Sequence, residues 1–349
     1  MPPVIEAVDL VKYFPVYGGL FGRRVEYLKA VDSVSLSIDP GETLGLVGES
    51  GCGKTTVGYL LLNLLPCDRG QVLHHGVDIT RLRGNALRKV RRNLQIVFQD
   101  PQSSLDPRML IKKTVGYPLE VNGLARGSQV VARVKRILTE VGLDEDHMYR
   151  YPHEFSGGQR QRIGIARALI TGPEFIVFDE PTSALDVSVQ AQILNLIKEL
   201  QGRHGYSYLF ISHNLSVVKH VSHRIAVMYL GKIVEAAPRH ALFERPLHPY
   251  TRALLASVPE PDPQKRHTLG VLSGDVPSPV NVPAGCRFHP RCAEVMERCR
   301  SVMPVSLEVA PGHSVACHLY GPPQTDDGTR GDGEGDVEAT ARPRAAGEA

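Results

Sequence analysis

The sequence predicts an α/β fold with a parallel core sheet, an antiparallel β subdomain and a helical subdomain. Four short apolar segments have the length of buried strands: residues 43–47, 94–98, 175–178 and 208–211. Helix-like segments separate these strands, and such alternation is typical of parallel sheets. Residues 4–12 and 30–38 instead alternate apolar and polar side chains, as half-buried strands of an antiparallel subdomain do.

The predicted helices follow in order along the chain. Residues 54–65 come directly after the first buried strand, and residues 189–200 lie between the last two. The stretch 110–170 loses the strand pattern and is mainly helical, with an amphipathic segment at 129–141. We therefore place a helical subdomain at about residues 105–170, inserted into the core.

The composition divides the chain into three regions. Prolines recur after residue 245 and interrupt the long elements. We predict a main domain over residues 1–245, a C-terminal extension over 246–320 that holds four cysteines, and a tail over 321–349. The tail is rich in Gly, Asp and Glu and nearly free of large apolar residues, so it should be disordered.

The overall composition argues against two classes of function. A net charge of +3 over 349 residues gives no reason to expect a nucleic-acid-binding surface. The longest apolar run, residues 57–65, is interrupted by Asn63 and is far shorter than the roughly 20 residues that span a bilayer. The N-terminus lacks the basic start and apolar run of a secretory signal. We expect a cytoplasmic location, with any membrane role depending on docking to a partner.

A glycine-rich segment at residues 48–55, GESGCGKT, has a predicted strand before it and a predicted helix after it, the context of a phosphate-binding loop. Glycines let backbone N–H groups wrap a phosphate, and the helix N-terminus adds favourable partial charge. Lys54 would reach the β- and γ-phosphates, and the Thr55 hydroxyl would bind Mg²⁺. The predicted nucleotide-binding residues here are Gly48, Glu49, Ser50, Gly51, Cys52, Gly53, Lys54, Thr55 and Thr56.

Two acids, Asp179 and Glu180, end an apolar strand further along the chain. A carboxylate at a strand end can hold Mg²⁺ through water, which is the role predicted for Asp179. Glu180, one residue later, can orient or deprotonate an attacking water. We expect these acids to complete the site of the phosphate loop and to make it hydrolytic.

The segment FSGGQ at residues 155–159 resembles the signature of the ATP-binding cassette (ABC) transport ATPases, a family whose motifs match residues 4–245. The resemblance implies a P-loop NTPase fold of the ABC type, in which two subunits enclose two ATP molecules. The residues that would bind the ATP of the partner subunit are Ser156, Gly157, Gly158 and Gln159. The departures, Phe155 in place of Leu and Asn214 in place of Asp, involve no group that performs chemistry.

The same resemblance implies roles for residues outside these segments. Gln99 corresponds to the glutamine that joins the Mg²⁺ site to the transmembrane partner, and His213 to the histidine that contacts the γ-phosphate. Asp186 lies in the loop through which the two ATPases sense each other. Phe14, or its neighbour Tyr13, would stack on adenine. The implied Mg²⁺ ligands are Thr55, Gln99 and Asp179.

Residues 97–108 and 247–255 resemble the ATPase subunits of bacterial oligopeptide and dipeptide importers, and residues 28–56 fit the second of their two ATPases. The resemblance implies three kinds of partner: a second, different ATPase subunit, two transmembrane permeases and an extracytoplasmic substrate-binding protein. It places the chain at the cytoplasmic face of the bacterial inner membrane, as a peripheral protein. Two alternatives stay open: a soluble cassette ATPase acting on nucleic acid or ribosomes, and an importer of nickel or another small solute.

Four cysteines crowd into the C-terminal extension: Cys286, Cys292, Cys299 and Cys317. Four thiolates in a short segment can enclose zinc or an iron–sulfur cluster, and the C-x-x-C pair of usual zinc sites is absent. Some importers of the family carry a [4Fe–4S] cluster on such cysteines. The resemblance therefore implies this cofactor, with Zn²⁺ or unligated thiols as alternatives. The nearby His289, His313 and His318 are expected to be solvated.

Overall fold

The computed structural model describes residues 2–18, 24–257 and 274–321. Of the tail predicted to be disordered, only Gly321 is therefore described. The strands in the described ranges are β1 (Ile5–Gly18), β2 (Arg24–Ile38), β3 (Thr43–Val47), β4 (Arg69–His74), β5 (Val77–Asp78), β6 (Leu94–Val97), β7 (Phe175–Asp179), β8 (Ser207–Ser212), β9 (Arg224–Tyr229), β10 (Lys232–Pro238), β11 (Leu307–Ala310) and β12 (His313–Val315).

The α-helices of the same ranges are α1 (Lys54–Leu61), α2 (Gly84–Arg91), α3 (Pro101–Ser104), α4 (Ile111–Val121), α5 (Ser128–Glu140), α6 (Gly157–Leu169), α7 (Val187–His204), α8 (Leu215–Val221), α9 (Arg239–Glu244), α10 (Pro249–Ala256) and α11 (Arg298–Ser301). Short 3₁₀ turns lie at Glu145–Tyr149, Pro152–Glu154 and His289–Arg291. Within the described residues, no helix combines the length and the apolar character that crossing a bilayer requires.

The larger sheet forms the core and has the strand order β11-β12-β10-β9-β3-β8-β7-β6. β9, β3, β8, β7 and β6 run parallel, which confirms the predicted parallel core. Alternate residues of β7 pack on opposite faces, with Phe175 and Val177 on one side and Ile176 and Phe178 on the other. Burial on both faces explains why these strands are continuous apolar runs in the sequence.

The carboxyl ends of the parallel strands meet at one edge of this sheet, where ligands bind in open α/β folds. The phosphate loop follows β3, and Gln99 follows β6. Glu180 follows β7, and His213 follows β8. These four segments are far apart in sequence, yet they reach one place because their strands are parallel and close together.

The smaller sheet is antiparallel and has the order β2-β1-β4-β5. Its first two strands extend beyond the predicted 4–12 and 30–38, because hairpin pairing continues through Val16 opposite Glu26. The outer part of the hairpin is exposed (Tyr17 is 70% accessible), so no apolar alternation marks it in the sequence. The inner part packs with α1 and one face of the core sheet in a single apolar cluster.

The helical subdomain contains α4, α5 and α6. On α5 the buried residues are Val130, Val134, Ile137 and Leu138. This spacing forms one face of a helix, as the amphipathic segment 129–141 predicts. The buried face joins the apolar cluster on the other side of the core sheet.

Two helices begin or end at other residues than predicted, because residues next to them cap the helix. α1 is shorter than the predicted 54–65, because Asn63 adopts a left-handed φ of 48° and bonds its side-chain amide to a backbone carbonyl. α7 is longer than the predicted 189–200. It begins where the Asp186 carboxylate accepts a backbone N–H, and it ends at Gly205 with a φ of 69°.

The C-terminal extension joins the core sheet, which the sequence did not predict. β12 pairs with β10, and β11 pairs with β12. The carboxylate of Glu235 on β10 is fully buried and accepts hydrogen bonds from Leu247 N at 2.8 Å, His248 N at 2.9 Å and His313 Nε2 at 2.8 Å. The expectation that His313 is solvated is wrong, because its ring reaches this buried acid.

Candidate nucleotide-binding site

A cleft of about 700 Å³ opens at the carboxyl edge of the core sheet. It is lined by Phe14, Leu28, Ala30, Ser50, Gly51, Gly53, Lys54, Thr55, Thr56, Gln99, Glu180 and His213. Most of these residues were predicted as site residues from motifs. Leu28 and Ala30 were missed, because they reach the cleft through a strand pairing that places Leu28 opposite Phe14. The long hairpin connection hides that register in the sequence.

The phosphate loop is held by close contacts between backbones. A Cβ on Gly53 would lie 2.0 Å from Ala30 O, and a Cβ on Gly48 would lie 2.1 Å from Met228 O. Gly53 also has a φ of 108°, a conformation that other residues rarely adopt. Only glycine fits at these positions, so the loop is fixed between β2 and β9 while its inner surface faces the cleft.

Lys54 lies across the inside of the loop and is only 5% exposed. Its Nζ donates to Gly48 O at 2.8 Å and to Glu49 O at 2.9 Å. The Cys52 sulfur lies 3.9 Å from the same ammonium, and burial raises the pKa of this thiol. Cys52 therefore packs behind the loop, whereas the Lys54 side chain lies on its inner side and lines the cleft.

Oxygen groups meet beside the loop where Mg²⁺ was predicted. The Thr55 hydroxyl donates to Asp179 Oδ1 at 2.9 Å, across 124 positions of sequence. Burial raises the pKa of Asp179, and the Thr55 hydrogen bond and the Lys54 charge oppose that rise. Hydroxyl, carboxylate and amide oxygens are the ligand types that Mg²⁺ prefers, so Thr55, Asp179 and Gln99 fit the ion.

The carboxylate of Glu180 is oriented by two partners at the mouth of the cleft. Its Oε2 accepts from Gln99 Nε2 at 3.1 Å and lies 3.1 Å from His213 Nδ1. Glu180 itself has a φ of 45°, a strained value for a residue with a side chain, and its N–H donates to Ile211 O. Three strand ends thus fix one carboxylate where an attacking water could approach a nucleotide.

Phe14 and Tyr13 face different surroundings, which separates the two candidates for adenine stacking. Phe14 lines the cleft. The Tyr13 hydroxyl donates to Asp32 Oδ1 at 2.8 Å, and burial raises the pKa of Tyr13. Phe14 is therefore the aromatic that the structure offers to a base in this cleft.

The signature segment does not line the cleft of its own chain. Ser156 Oγ accepts from Gln159 N at 3.4 Å, and Gln159 Oε1 accepts from Ser156 N at 3.0 Å, a capping box that begins α6. A Cβ on Gly158 would lie 2.4 Å from Val189 Cγ1, and one on Gly157 would lie 3.4 Å from a Leu185 methyl carbon. The structure therefore packs the start of α6 against the start of α7.

Asp186 adjoins this contact, because it caps α7. Its carboxylate accepts from Val189 N at 2.9 Å and from Ser188 Oγ at 2.6 Å. These hydrogen bonds, that of Ser188 first, lower the pKa of Asp186. The two segments predicted to face another subunit are thus neighbours on one exposed side of the chain.

Glu49, predicted to bind nucleotide, turns its side chain away from the cleft. Its carboxylate accepts two hydrogen bonds from the Arg291 guanidinium, at 2.8 and 3.0 Å, and its N–H donates to the Tyr250 hydroxyl at 3.0 Å. Arg291 is 8% exposed, and this hydrogen bonding raises its pKa. The C-terminal extension therefore supports the phosphate loop from behind, through contacts that the sequence did not predict.

The four predicted cysteines lie close enough to influence one another. Burial raises the pKa of Cys286 to about 11, and the charges of Cys292, Cys299 and Cys317 add to the rise. None of the described cysteines forms a disulfide. Tetrahedral zinc–thiolate bonds of about 2.3 Å would bring the sulfurs within roughly 4 Å of each other. Among the described residues, only His74, His75 and Glu174 bring three such ligand atoms within 4.8 Å, so no three of the four thiols lie that close together.

The cleft joins a phosphate loop, a pair of acids at a strand end and a histidine, which defines the chain as a P-loop nucleotide hydrolase. The chain belongs to the ABC transporter family. The family described as "ABC transporter" matches residues 31–183, and that described as "Oligopeptide/dipeptide transporter, C-terminal region" matches residues 234–299.

Three similar proteins support this assignment. The chain is 51% identical to the oligopeptide transport ATP-binding protein AppF of Bacillus subtilis, over 91% of this chain and 97% of AppF. It is 49% identical to the probable peptide ABC transporter ATP-binding protein y4tS of Sinorhizobium fredii, over 91% and 90% of the two chains. A dimeric, post-hydrolysis structure of the ATP-binding cassette MJ0796 with ADP and Pi aligns with a TM-score of 0.59 and 28% identity, covering 67% of this chain and 98% of that chain.

These findings decide between the functional classes left open by the sequence. The predicted ABC cassette fold and the predicted ATP-hydrolysing activity of a transport ATPase are confirmed. The alternative, a soluble cassette ATPase acting on nucleic acid or ribosomes, is not retained, because the likeness to a transport subunit covers 91% of the chain.

Proposed function

We propose that the chain is the ATP-hydrolysing subunit of a bacterial importer of peptides. One observation supports peptides as the transported substrate: the similarity to AppF and y4tS extends through both the cassette and the C-terminal extension. The oligopeptide/dipeptide transporter region at residues 234–299 agrees with it. Nothing comparable favours nickel or another small solute.

Each residue of the cleft has a proposed role. The loop glycines and Lys54 hold the phosphates, and Phe14 stacks on adenine. Thr55, Asp179 and Gln99 hold Mg²⁺, which would neutralise charge on the β- and γ-phosphates. Glu180 orients the attacking water and accepts its proton, and His213 holds that carboxylate and contacts the γ-phosphate. The distances of 3.1 Å from Glu180 to both Gln99 and His213 support this division of labour.

The geometry of a single chain supports a paired arrangement. Ser156, Gly157, Gly158 and Gln159 lie outside the cleft, at the exposed start of α6, where a helix N-terminus favours an anion. We infer that they close over the ATP of a second, different ATPase subunit, while Asp186 beside them senses that subunit. ATP would shift the population toward the closed pair because it binds that state better, and hydrolysis would reopen it.

The remaining partners follow from the proposed transport role. The chain would lie at the cytoplasmic face of the inner membrane as a peripheral protein, docked to two transmembrane permeases through the region of Gln99. An extracytoplasmic binding protein would deliver the peptide to the permeases. The division of the chain into residues 1–245, 246–320 and 321–349 remains our proposal for its domains.

Co-purification and transport test this proposal together. We expect the tagged full chain, extracted in mild detergent, to bring down two multi-span membrane proteins and a second ATPase. Reconstituted into vesicles with the binding protein, this complex should hydrolyse ATP faster when peptide is present. Recovery of the chain without membrane partners, or stimulation by a metal ion and not by peptide, would contradict the proposal.

We also propose a [4Fe–4S] cluster on Cys286, Cys292, Cys299 and Cys317, with Zn²⁺ as the alternative. The number of cysteines supports this group, because a cubane binds one thiolate on each of its four irons. The raised thiol pKa values mean that metal binding would have to displace protons. The full chain prepared without oxygen should contain about four iron and four sulfide per molecule, and stoichiometric zinc in their place would contradict the cluster.

A further inference from the structure

A second group of metal-ligating side chains lies away from the nucleotide cleft. His74, His75 and Glu174 place one ligand atom each within 4.8 Å of the other two, an arrangement found nowhere else in the described residues. His74 Nε2 lies 3.1 Å from Glu174 Oε2, and His75 Nε2 lies 2.8 Å from the same oxygen. No motif of the transport ATPases accounts for this convergence.

The two imidazoles converge because of the turn between β4 and β5. Leu73 pairs with Asp78 and His74 with Val77, so His75 and Gly76 form a two-residue hairpin turn. Both have positive φ, 49° and 77°, as a type I′ turn requires. Adjacent residues of a straight strand point to opposite faces, whereas this turn brings the two rings within 4.6 Å, centroid to centroid.

The carboxylate that faces the rings is held from behind. Glu174 N donates to Asn93 O at 2.9 Å, and Asn93 Nδ2 lies 3.5 Å from Glu174 Oε1. The carbonyl of Glu174 accepts from Ser207 N at 3.0 Å. These contacts leave Oε2 directed at the histidines, in the way that outer hydrogen bonds orient ligands in metal sites.

The ligand set and its dimensions suit a borderline divalent metal. Two imidazoles and one carboxylate are the protein ligands of known open zinc sites. Metal–ligand bonds of about 2.0–2.1 Å in a tetrahedron place the ligand atoms roughly 3.3 Å apart. The Glu174 oxygen lies 3.1 and 2.8 Å from the two histidine nitrogens, so small side-chain shifts would admit an ion.

We propose that His74, His75 and Glu174 form a site for one divalent ion of the zinc type, with water in the fourth position. His74 ends β4 of the antiparallel sheet and His75 lies in the turn after it, whereas Glu174 directly precedes β7 of the core sheet. A bound ion would therefore tie the tip of the β4–β5 hairpin to the strand that ends at Asp179. The same three atoms can also meet as hydrogen bonds alone, and metal titration separates the two arrangements.

Co²⁺ is the probe that tests the site in the full chain, without nucleotide. The variants are His75→Asn, which keeps a residue favoured in type I′ turns, and Glu174→Gln, which keeps the shape of the side chain. His240→Asn, which removes an exposed histidine elsewhere, is the matched control. All four proteins should unfold at similar temperatures without metal, which excludes a folding defect.

At this site, wild type and the control should bind one Co²⁺ with a visible spectrum typical of nitrogen and oxygen ligands. Metal bound at the cysteines would instead give thiolate charge-transfer bands, which are separate in the spectrum. His75→Asn and Glu174→Gln should lose at least the roughly 10- to 100-fold in affinity that even outer-ligand changes cause, with the thiolate bands unchanged. Added Zn²⁺ should raise the unfolding temperature of wild type and not of these variants. Equal Co²⁺ affinity in all four proteins would overturn the proposal. Loss of a thiolate band in the two variants, in place of the nitrogen and oxygen spectrum, would overturn it as well.

Discussion

The phosphate loop has two sides that are built in different ways. The front, facing the cleft, is made from residues that follow four strand ends and carry recognisable motifs. The back is made from Glu49, Arg291 and Tyr250, whose contacts span more than 200 positions of sequence. The front holds the groups that do chemistry, whereas the back sets the shape of the loop. Local sequence therefore reveals the chemistry of this site and conceals its support.

The largest expected effect is on the front of the loop. Glu180→Gln should bind ATP about as tightly as wild type but lose roughly 10²- to 10⁴-fold in turnover, because the amide cannot accept the proton of the attacking water. Phosphate release at saturating ATP and nucleotide binding by fluorescence measure the two quantities. Glu199→Gln, at an exposed ion pair, is the matched control and should change neither turnover nor nucleotide binding. Turnover near the wild-type rate in Glu180→Gln would remove Glu180 from the catalytic role.

A smaller effect is expected at the back of the loop. Arg291→Met leaves the Glu49 carboxylate without its two hydrogen bonds and should cost about 2 kcal/mol of stability. It should also weaken ATP binding about 10-fold while turnover at saturating ATP changes little, because the loop must be reordered when nucleotide binds. Chemical denaturation and the KM for ATP measure these changes.

Two further variants sharpen that result. Arg203→Met breaks an exposed pair and should change stability by less than about 1 kcal/mol. Adding Glu49→Gln to Arg291→Met should recover part of the loss, because no unpaired charge then remains. Reduced stability with an unchanged KM would mean that Arg291 supports the fold and not the loop.

The smallest effect, between pH 7.5 and pH 5.5, is a pH dependence of stability in the extension. Burial lowers the pKa of His248 to about 3, with Arg252 adding to the effect, so the folded protein keeps this ring neutral. The unfolded chain takes up the proton near pH 6.5. Above that pH, the contribution of the neutral His248 to the free energy of unfolding should be fully present. It should fall by about 1.4 kcal/mol per pH unit below it, until the folded pKa is reached.

His248→Asn should reduce this slope. Asparagine keeps an acceptor for Tyr250 N at the start of α10 but cannot be protonated. The difference in unfolding free energy between pH 7.5 and pH 5.5 should be about 1.4 kcal/mol smaller in the variant. An equal difference in both proteins would show that folding does not lower the pKa of His248.

The sequence predicted those parts of the molecule that depend on local pattern. Buried parallel strands are continuous apolar runs, and glycines at close backbone contacts are fixed by geometry, so β3, β7, β8 and the phosphate loop were all predicted. Pairings between exposed or distant segments leave no such trace. The outer hairpin, the join of β12 to β10 and the ion pair of Glu49 with Arg291 therefore appeared only in the structure.

The candidate site follows the same division. Each residue after a strand end was predicted, because parallel strands bring their carboxyl ends together. Leu28 and Ala30 depend on the register of an antiparallel pair, and Glu49 depends on a partner from the extension, so the sequence could not place them. His313 was expected to be solvated because its partner, the buried carboxylate of Glu235, is 78 positions away in the sequence.

The late position of Arg291 and β12 has a consequence during synthesis. A ribosome makes the chain from its N-terminus, and all the motifs of the cleft have emerged well before the residues that support the loop from behind. Until β12 is made, the edge of β10 stays open to pairing with other chains. A nascent or truncated chain would thus carry every nucleotide motif without a supported loop. Tight ATP binding would therefore come only after the extension has been made.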